Sequence, residues 1–161
     1  MSLINTWSAG SVAWTTGQNP AAAQSPGHTN PYAGLTILVV DDDPTQRVLA
    51  RDALEANLFV VEEAADGPEG LTKAYTVKPS LIILDILMPV LDGFTVCTEL
   101  RRHAATKNIP ILIATGVNDA ASIERGFRLE ANDFINKPID WSILALRIKY
   151  ILRNAGVART Q

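Results

Sequence analysis

The chain has 161 residues, which is enough for one domain with a hydrophobic core and short for two. Apolar residues make up 47% and charged residues 19%, which is typical of a folded domain and not of a disordered chain. The formal net charge of -3, without any cluster of Lys and Arg, argues against a direct nucleic-acid surface. No apolar run reaches the roughly 18 residues of a membrane helix, and the lone Cys97 cannot form an internal disulfide, so we expect a cytoplasmic protein without membrane contact.

The first 34 residues differ in composition from the rest of the chain. They contain no Asp, Glu, Lys or Arg and are rich in small and amide side chains. Contacts from so few regularly spaced apolar residues would not offset the entropy lost on ordering the backbone, so residues 1–34 are predicted to form a flexible tail. The alternative is that Trp7 and Trp14 dock on a partner or a neighbouring subunit.

From residue 35 onward, short apolar runs alternate with amphipathic segments. The pattern predicts five strands, at residues 35–40, 58–62, 81–84, 109–114 and 133–135. Several of these runs are apolar throughout, as in parallel strands that are covered on both faces. With right-handed crossovers the result is an α/β fold, a (βα)5 flavodoxin-like three-layer sandwich with strand order 2-1-3-4-5. This domain should span residues 35–153, and residues 154–161 should be a tail or the start of a linker.

Short polar residues that can cap a helix follow the predicted strands. The candidate caps are Asp43, Asp66, Asp92 and the pair Asn118 and Asp119, and the fifth helix should run from about residue 140 to 153. The inner stripe of the first helix is predicted as Leu49, Ala53 and Ala56. That of the fifth helix is predicted as Trp141, Ala145, Ile148 and Leu152.

Polar and ionisable side chains stand at the ends of four of the five predicted strands. In open parallel sheets, ligands bind beyond the carboxyl ends of the strands, near the point where the strand order reverses. The residues that this rule selects are Asp41, Asp42, Asp43, Asp85, Thr115 and Lys137. One carboxylate is enough to cap a helix, so three in a row after the first strand indicate a further role.

Carboxylates gathered at one edge of a sheet repel each other, and they remain ionised there only with a cation nearby. Because the candidate ligands are all oxygens, the pattern favours Mg2+, with Mn2+ as the alternative ion. Asp85 is then suited to attack phosphorus and form an aspartyl phosphate. The Thr115 hydroxyl and the Lys137 ammonium can meet the other phosphoryl oxygens.

Over about residues 35–153 the sequence resembles the receiver domain of two-component response regulators. The resemblance lies in Val39-Val40-Asp41-Asp42, in the run Asp-Ile-Leu-Met-Pro-Val-Leu-Asp-Gly from Asp85 to Gly93, in Ala114-Thr115-Gly116, and in Phe134-Ile135-Asn136-Lys137-Pro138. It implies a signalling domain and not an enzyme, one that at most catalyses its own phosphorylation and dephosphorylation. The phosphoryl group would come from a histidine kinase or a phosphotransfer protein.

The resemblance also implies a ligand set for the metal ion. Asp41 and Asp42 match the acidic pair that holds Mg2+, with Asp42 as the more direct ligand. Asp85 matches the phosphorylated aspartate, and the backbone carbonyl of Leu87 matches the position that completes the metal shell.

A switch is implied in the same way. Thr115 matches the hydroxyl that moves toward the phosphoryl group, and Phe134 the aromatic side chain that follows it. Their movement would change the surface formed by helix 4, strand 5 and helix 5. Lys137 matches the lysine of the motif, and receivers usually hold the bond that precedes Pro138 in the cis form.

The output is suggested only by similarity. The sequence from Lys137 to Arg153 is similar to receivers that precede diguanylate cyclase or phosphodiesterase domains of cyclic-di-GMP signalling. A downstream effector domain or partner protein is expected, and family analogy suggests a homodimer through helices 4 and 5. Because the side chains of Leu87 and Val117 are apolar and cannot easily align an attacking water, a persistent phosphoryl group is predicted.

Two other functions fit parts of the pattern. In a haloacid-dehalogenase-like phosphohydrolase, the run Asp41-Asp42-Asp43-Pro44-Thr45 would be the nucleophile motif, with Asp41 as the nucleophile. That function leaves Asp85 without a role and lacks a second acidic pair after Lys137. A pseudo-receiver that binds proteins without being phosphorylated is the other alternative, although every residue needed for phosphorylation is present.

Overall fold

The computed structural model describes residues 30–116 and 120–158. Five strands and five helices alternate along this part of the chain, as the sequence predicts. They are β1 Thr36–Val40, α1 Pro44–Glu55, β2 Val60–Ala64, α2 Gly67–Val77, β3 Leu81–Asp85, α3 Gly93–Arg102, β4 Ile111–Thr115, α4 Ala120–Arg128, β5 Asp133–Asn136 and α5 Trp141–Asn154.

The five strands form one parallel sheet in the order β2-β1-β3-β4-β5, which confirms the predicted topology. The strand order reverses at β1, which lies between β2 and β3. In the register of this central pair, Val40 lies opposite Leu84. The residues that follow, Asp41 and Asp85, therefore leave the sheet side by side.

Two apolar clusters cover the two faces of the sheet. One lies between the sheet and helices α1 and α5, and includes Leu54 and Ile148. The other lies between the sheet and helices α2 and α3, and includes Leu84 and Leu100. Residues of β1, β3 and β4 contribute to both clusters, because side chains alternate between the faces of a strand. The result is the predicted three-layer sandwich.

Aspartates cap four of the helices. The Oδ1 atoms of Asp43, Asp66, Asp92 and Asp140 accept backbone N–H groups of the first helical turns at 2.8, 2.8, 2.7 and 3.0 Å. These bonds satisfy N–H groups that have no partner within the helix. The pair proposed to cap α4, Asn118 and Asp119, lies outside the described residues.

Two details of the predicted elements are wrong. Strand β2 begins at Val60 and not at residue 58, because Leu58 has a φ of +69° and belongs to the turn after α1. As an edge strand, β2 contains Glu62 and Glu63, and a search for apolar runs therefore ends the strand too early.

In α1 the buried residues are Ala50 and Leu54, whereas Leu49 is 39% exposed. This helix has apolar residues on more than one side, so the periodicity alone allowed either of two faces to be the buried one. The fifth helix buries Ala145, Ile148 and Leu152 as predicted.

The described part of the chain begins with a turn that contacts the domain. The Asn30 amide donates to the carbonyl of Asn57 at 3.4 Å, and the Gly34 N–H donates to the carbonyl of Leu58 at 2.7 Å. Tyr32 packs beside the cluster that α5 covers. Trp7 and Trp14 lie outside the described residues, so the boundary at residue 34 stays a prediction. Among the residues described, no helix is both long and apolar enough to cross a membrane.

Candidate functional site

The polar residues predicted at the strand ends meet at one edge of the sheet. Asp41 follows β1, Asp85 ends β3, Thr115 ends β4, and Lys137 follows β5. Three of them are almost fully buried: Asp41 and Asp85 are each 4% exposed and Thr115 is 1% exposed. Carboxylates are rarely buried without partners, because desolvation disfavours their charge. Partners for the two aspartates are therefore expected at this edge.

Lys137 supplies a positive charge between the two buried aspartates. Its Nζ lies 2.7 Å from Oδ2 of Asp41 and 3.2 Å from Oδ2 of Asp85. Burial by itself would lower the pKa of Lys137, but the hydrogen bond to Asp41 and the charge of Asp85 outweigh it, so the pKa is raised. Lys137 thus remains protonated and joins the ends of β1, β3 and β5.

The Asp85 carboxyl is not fully compensated by this lysine. Burial raises its pKa, Lys137 opposes the rise, and the neighbouring charge of Asp41 adds to it. One ammonium is shared by two buried carboxylates, so a second cation near Asp85 would favour its ionised form.

The acidic residues fit a divalent cation. Asp41, Asp42 and Asp85 each offer a carboxylate oxygen, and these oxygens lie within 4.8 Å of one another. Asp42 is exposed, whereas the other two are buried, so the group opens toward solvent on one side. An all-oxygen set that is open to water suits Mg2+, which keeps several waters in its shell. The backbone N–H of Leu87 donates to Oδ1 of Asp85 at 3.3 Å, and its carbonyl as a further ligand stays a prediction.

The loop between β1 and α1 is held by a residue that sequence reasoning missed. The Arg47 guanidinium donates from Nη1 to the backbone carbonyl of Asp41 at 2.8 Å. Its Nε also lies 3.4 Å from a carboxylate oxygen of Glu63 on β2. The Asp41 carboxylate accepts the Asp43 N–H at 2.9 Å, which fixes its orientation. The bond runs from a helix back to a backbone carbonyl in the preceding loop, which no side-chain periodicity records, so no sequence signal pointed to Arg47.

Gly93 allows the start of α3 to lie directly against the end of β3. A Cβ atom at this position would lie 2.2 Å from the backbone oxygen of Asp85. The Gly93 N–H donates to the carbonyl of Ile86 at 2.9 Å, so the chain turns back on itself here. A larger residue would displace the Asp85 backbone. The glycine that follows the cap Asp92 was the only sequence signal for this contact.

The residues predicted for the switch lie on β4 and β5. Lys137 N–H donates to the backbone carbonyl of Thr115 at 2.9 Å, which aligns the two strand ends. Phe134 is set back from the edge, opposite Ile113 in the register of the strands. Its ring lies 4.8 Å from the ring of Phe127 on α4. Five of the predicted residues thus lie at this edge of the sheet: Asp41, Asp42, Asp85, Thr115 and Lys137. Asp43 caps α1 instead, and Phe134 lies on β5, three residues before Lys137. The Lys137–Pro138 bond is cis, as the resemblance implied.

Comparisons with known proteins agree with this geometry. The family model of the response regulator receiver domain matches residues 37–149. The chain is 38% identical over 117 residues to the DNA-binding dual master transcriptional regulator RpaA of Synechocystis, covering 73% of this chain and 48% of RpaA. It is also 38% identical over 117 residues to the response regulator PleD of Caulobacter vibrioides, covering 73% of this chain and 26% of PleD.

A solved structure is similar over nearly its whole length. The chemotaxis protein CheY4 of Vibrio cholerae is 30% identical, with a TM-score of 0.70, covering 74% of this chain and 99% of that protein. In contrast, the chain spans about half the length of RpaA and a quarter of that of PleD. The similarity therefore concerns one domain of those longer relatives.

Proposed function

Since the chain belongs to the family of response regulator receiver domains, we propose that Asp85 accepts a phosphoryl group and acts as the input of a signalling switch. One observation carries the assignment. The Asp85 carboxylate ends a central strand, is buried, and lies within reach of both Lys137 and the acidic residues after β1. Asp41 is equally buried, but its two carboxylate oxygens are more tightly held, by the Asp43 N–H at 2.9 Å and by Lys137 at 2.7 Å, than those of Asp85, where the two contacts are 3.3 and 3.2 Å.

The proposed reaction transfers a phosphoryl group from a phosphohistidine of a histidine kinase or of a phosphotransfer protein. A carboxylate oxygen of Asp85 attacks phosphorus and forms the P–O bond. The P–N bond breaks, and its electron pair stays on the imidazole nitrogen, which takes up a proton. The N–H of Leu87 on Oδ1 and the ammonium of Lys137 near Oδ2 orient the carboxylate for this attack.

Charge on the transferred group has to be stabilised where it develops. Lys137 lies beside Asp85, so its ammonium can pair with one phosphoryl oxygen. The Thr115 hydroxyl, at the end of the next strand, can donate a hydrogen bond to a second phosphoryl oxygen. We propose that Asp41, Asp42, Asp85 and the Leu87 carbonyl hold Mg2+, or Mn2+ as the alternative ion. When bound, the ion would neutralise negative charge on the phosphoryl group and lower the repulsion among the carboxylates.

The signal would leave the site through β4 and β5. In this proposal, Thr115 moves toward the phosphoryl group and Phe134 follows, which changes the surface formed by α4, β5 and α5. Apolar side chains are exposed on that surface, with Phe127 at 57% and Leu146 at 69%. They support a contact that depends on the state of Asp85, either with an effector domain or partner protein or with a second copy of the chain.

The phosphohydrolase alternative is not favoured. Asp41, its nucleophile, has both carboxylate oxygens in short hydrogen bonds, with the Asp43 N–H and with Lys137, and Asp43 caps α1 through the N–H of Thr45. The family to which the chain belongs also assigns a role to Asp85, which that alternative leaves unused. The pseudo-receiver alternative is not favoured either, since all the residues proposed for phosphorylation are present.

The test is to incubate the chain with acetyl phosphate and Mg2+ and to map the acyl phosphate by mass spectrometry. We expect the label on Asp85 and its loss in Asp85→Asn, which removes the nucleophile and keeps the shape. The matched control is Asp92→Asn, because asparagine also caps helices and Asp92 lies outside the acidic cluster. A label on Asp41, or undiminished labelling of Asp85→Asn, would refute the proposal.

A further inference from the structure

Gly126 occupies an unusual place in α4. It is the one buried residue of this helix, and its backbone faces the sheet. A Cβ atom built there would lie 2.1 Å from Cζ and 2.7 Å from Cε1 of Phe134, and 3.2 Å from Cδ1 of Ile113. Real Cβ atoms are essentially never found closer than 3.0 Å to a heavy atom of a residue that is not a chain neighbour. The tip of the Phe134 ring therefore fills the space that any side chain at position 126 would need.

The backbone of α4 does not itself require glycine at this position. The described glycines with positive φ are Gly34 and Gly156, so Gly126 has a conformation open to any L residue. Glycine in the interior of a helix is less favourable than alanine. The feature of the fold that does require a missing side chain is the Phe134 ring.

The backbone of Phe134 is fixed from the opposite face of the sheet. Its carbonyl accepts a hydrogen bond from Nη1 of Arg147 on α5 at 2.6 Å. Its N–H donates to Oδ1 of Asp133 at 2.8 Å. A methyl group at position 126 would thus push on a ring whose backbone is held, and rotation of the side chain is the easiest response.

We propose that Gly126 is a positioning residue for the switch, because it forms the recess in which the Phe134 ring lies. The inference rests on the proposed function, in which Phe134 responds to phosphorylation of Asp85. An alanine at position 126 would expel the ring and separate the event at Asp85 from the response at α4 and β5. The acidic site itself would be unchanged.

The experiment uses the whole chain labelled with phenylalanine that carries 13C at Cζ, because the isotope adds no atom at the crowded tip of the Phe134 ring. The sequence contains four phenylalanines, so four ring carbon resonances are expected, and Phe134→Leu assigns the one of interest. Beryllofluoride with Mg2+ serves as the phosphoryl mimic. In the wild type we expect the Phe134 resonance to shift on its addition. In Gly126→Ala we expect that resonance to be displaced already, and its response to be lost, while acetyl phosphate labels Asp85 within about twofold of the wild type.

Gly70→Ala is the matched control. It also creates a contact below 3.0 Å, at 2.8 Å from Cγ1 of Val40, although a milder one, in helix α2 and away from Phe134. It should lower the melting temperature and leave the Phe134 resonance and its response intact. If Gly126→Ala behaves like this control, α4 has moved instead of the ring, and the proposal is wrong.

A double variant keeps the test valid if Gly126→Ala folds poorly. Leucine at position 134 removes the tip of the ring, so alanine at position 126 should then be tolerated. We expect Gly126→Ala to lower the melting temperature in the wild-type background and to leave it unchanged or raised in Phe134→Leu. A fall in both backgrounds would overturn the steric assignment. A wild-type Phe134 resonance that ignores beryllofluoride, while Asp85 is still labelled, would reject the switch role of Phe134 and the inference that rests on it.

Discussion

Helices α4 and α5 flank strand β5 from opposite faces, and they are attached to the domain in different ways. Helix α5 buries five residues: Leu144, Ala145, Ile148, Ile151 and Leu152. In α4, Gly126 alone is buried. Most of the hydrophobic attachment that α5 has is therefore missing from α4, because a glycine contributes no side chain to the core.

Polar contacts increase the difference. Arg147 ties α5 to the backbone of β5, and Lys149 ties it to Oδ1 of Asn57 at 3.0 Å. On α4, the pair Glu124 and Arg128 is exposed, at 2.6 Å, and an exposed pair within one helix contributes little. Arg125 lies over the ring of Phe94, 4.3 Å from its centroid.

The comparison suggests a division of roles between the two helices. Elements with few buried apolar contacts open or shift at low free energy, whereas well-packed elements open only with the whole domain. Within the proposed output surface, α4 is thus expected to be the part that moves, and α5 the part that keeps β5 in place. A switch needs a mobile element and a fixed one, because a partner can detect a shift of α4 only relative to a part of the surface that does not move.

The largest expected effect that would sharpen this comparison is on stability. Ile148 is fully buried, so Ile148→Ala should lower the free energy of unfolding by about 2–5 kcal/mol through lost burial and the cavity left behind. Phe127 on α4 is 57% exposed, so Phe127→Ala should lower it by about 1 kcal/mol, mainly from the contact with Phe134. Urea titrations monitored by circular dichroism measure both. Equal losses would contradict the difference between the helices.

The parts of the fold that local patterns encode were predictable from the sequence. Apolar runs located β3 and β4, which are buried along their whole length, and caps such as Asp43 located the helix starts. The edge strand β2 was placed two residues early, because it carries two glutamates, one of which, Glu63, pairs with Arg47 and Arg51 of α1. The phase of α1 was wrong because several of its faces are apolar.

The candidate site was predictable for a related reason. Parallel strands place their carboxyl ends at one edge, so residues such as Asp41 and Asp85 meet whatever the loops do. Arg47 and Gly126 were not predictable, since their importance comes from contacts with a backbone carbonyl and with a ring that is distant in sequence. No period or motif in a single sequence records such contacts.

A second prediction uses the only cysteine to report on α4. Cys97 on α3 is fully buried, and its Sγ donates to the carbonyl of Leu129, just beyond α4, at 3.4 Å. Opening of α4 should therefore expose the thiol while α5 remains packed. We expect Phe127→Ala to speed the reaction of Cys97 with a thiol reagent several-fold at neutral pH. Ile148→Ala should have little effect under native conditions. A larger acceleration in Ile148→Ala would mean that the thiol is reached only by global unfolding.

The same thiol predicts a dependence of stability on pH. Burial raises the pKa of Cys97, and the nearby Arg101 opposes the rise only partly. The unfolded chain then loses the thiol proton at a lower pH than the folded domain does. The contribution to the free energy of unfolding is fully present below the pKa of the unfolded thiol, and it is lost as the pH rises through the folded pKa. In Cys97→Ala this alkaline part of the loss should be absent from urea titrations.

The smallest expected effect is on the lifetime of the phosphoryl group. It depends on residues in the loops after β3 and before α4, and not on α4 itself. Leu87 lies two residues after Asp85 with its side chain 62% exposed, and an apolar side chain there cannot hold a water against phosphorus. Val117, the other position predicted to control water, precedes α4 and lies outside the described residues.

Polar residues at both positions, as in Leu87→Asn combined with Val117→Ser, should therefore speed decay of the acyl phosphate a few-fold after acetyl phosphate is removed. The backbone carbonyl of Leu87 is kept, so the proposed metal shell should survive, and Leu87→Met is the control that preserves apolar character. Unchanged decay in the double variant would show that access of water is limited elsewhere. The prediction that Leu87 and Val117 determine the lifetime of the phosphoryl group would then be wrong.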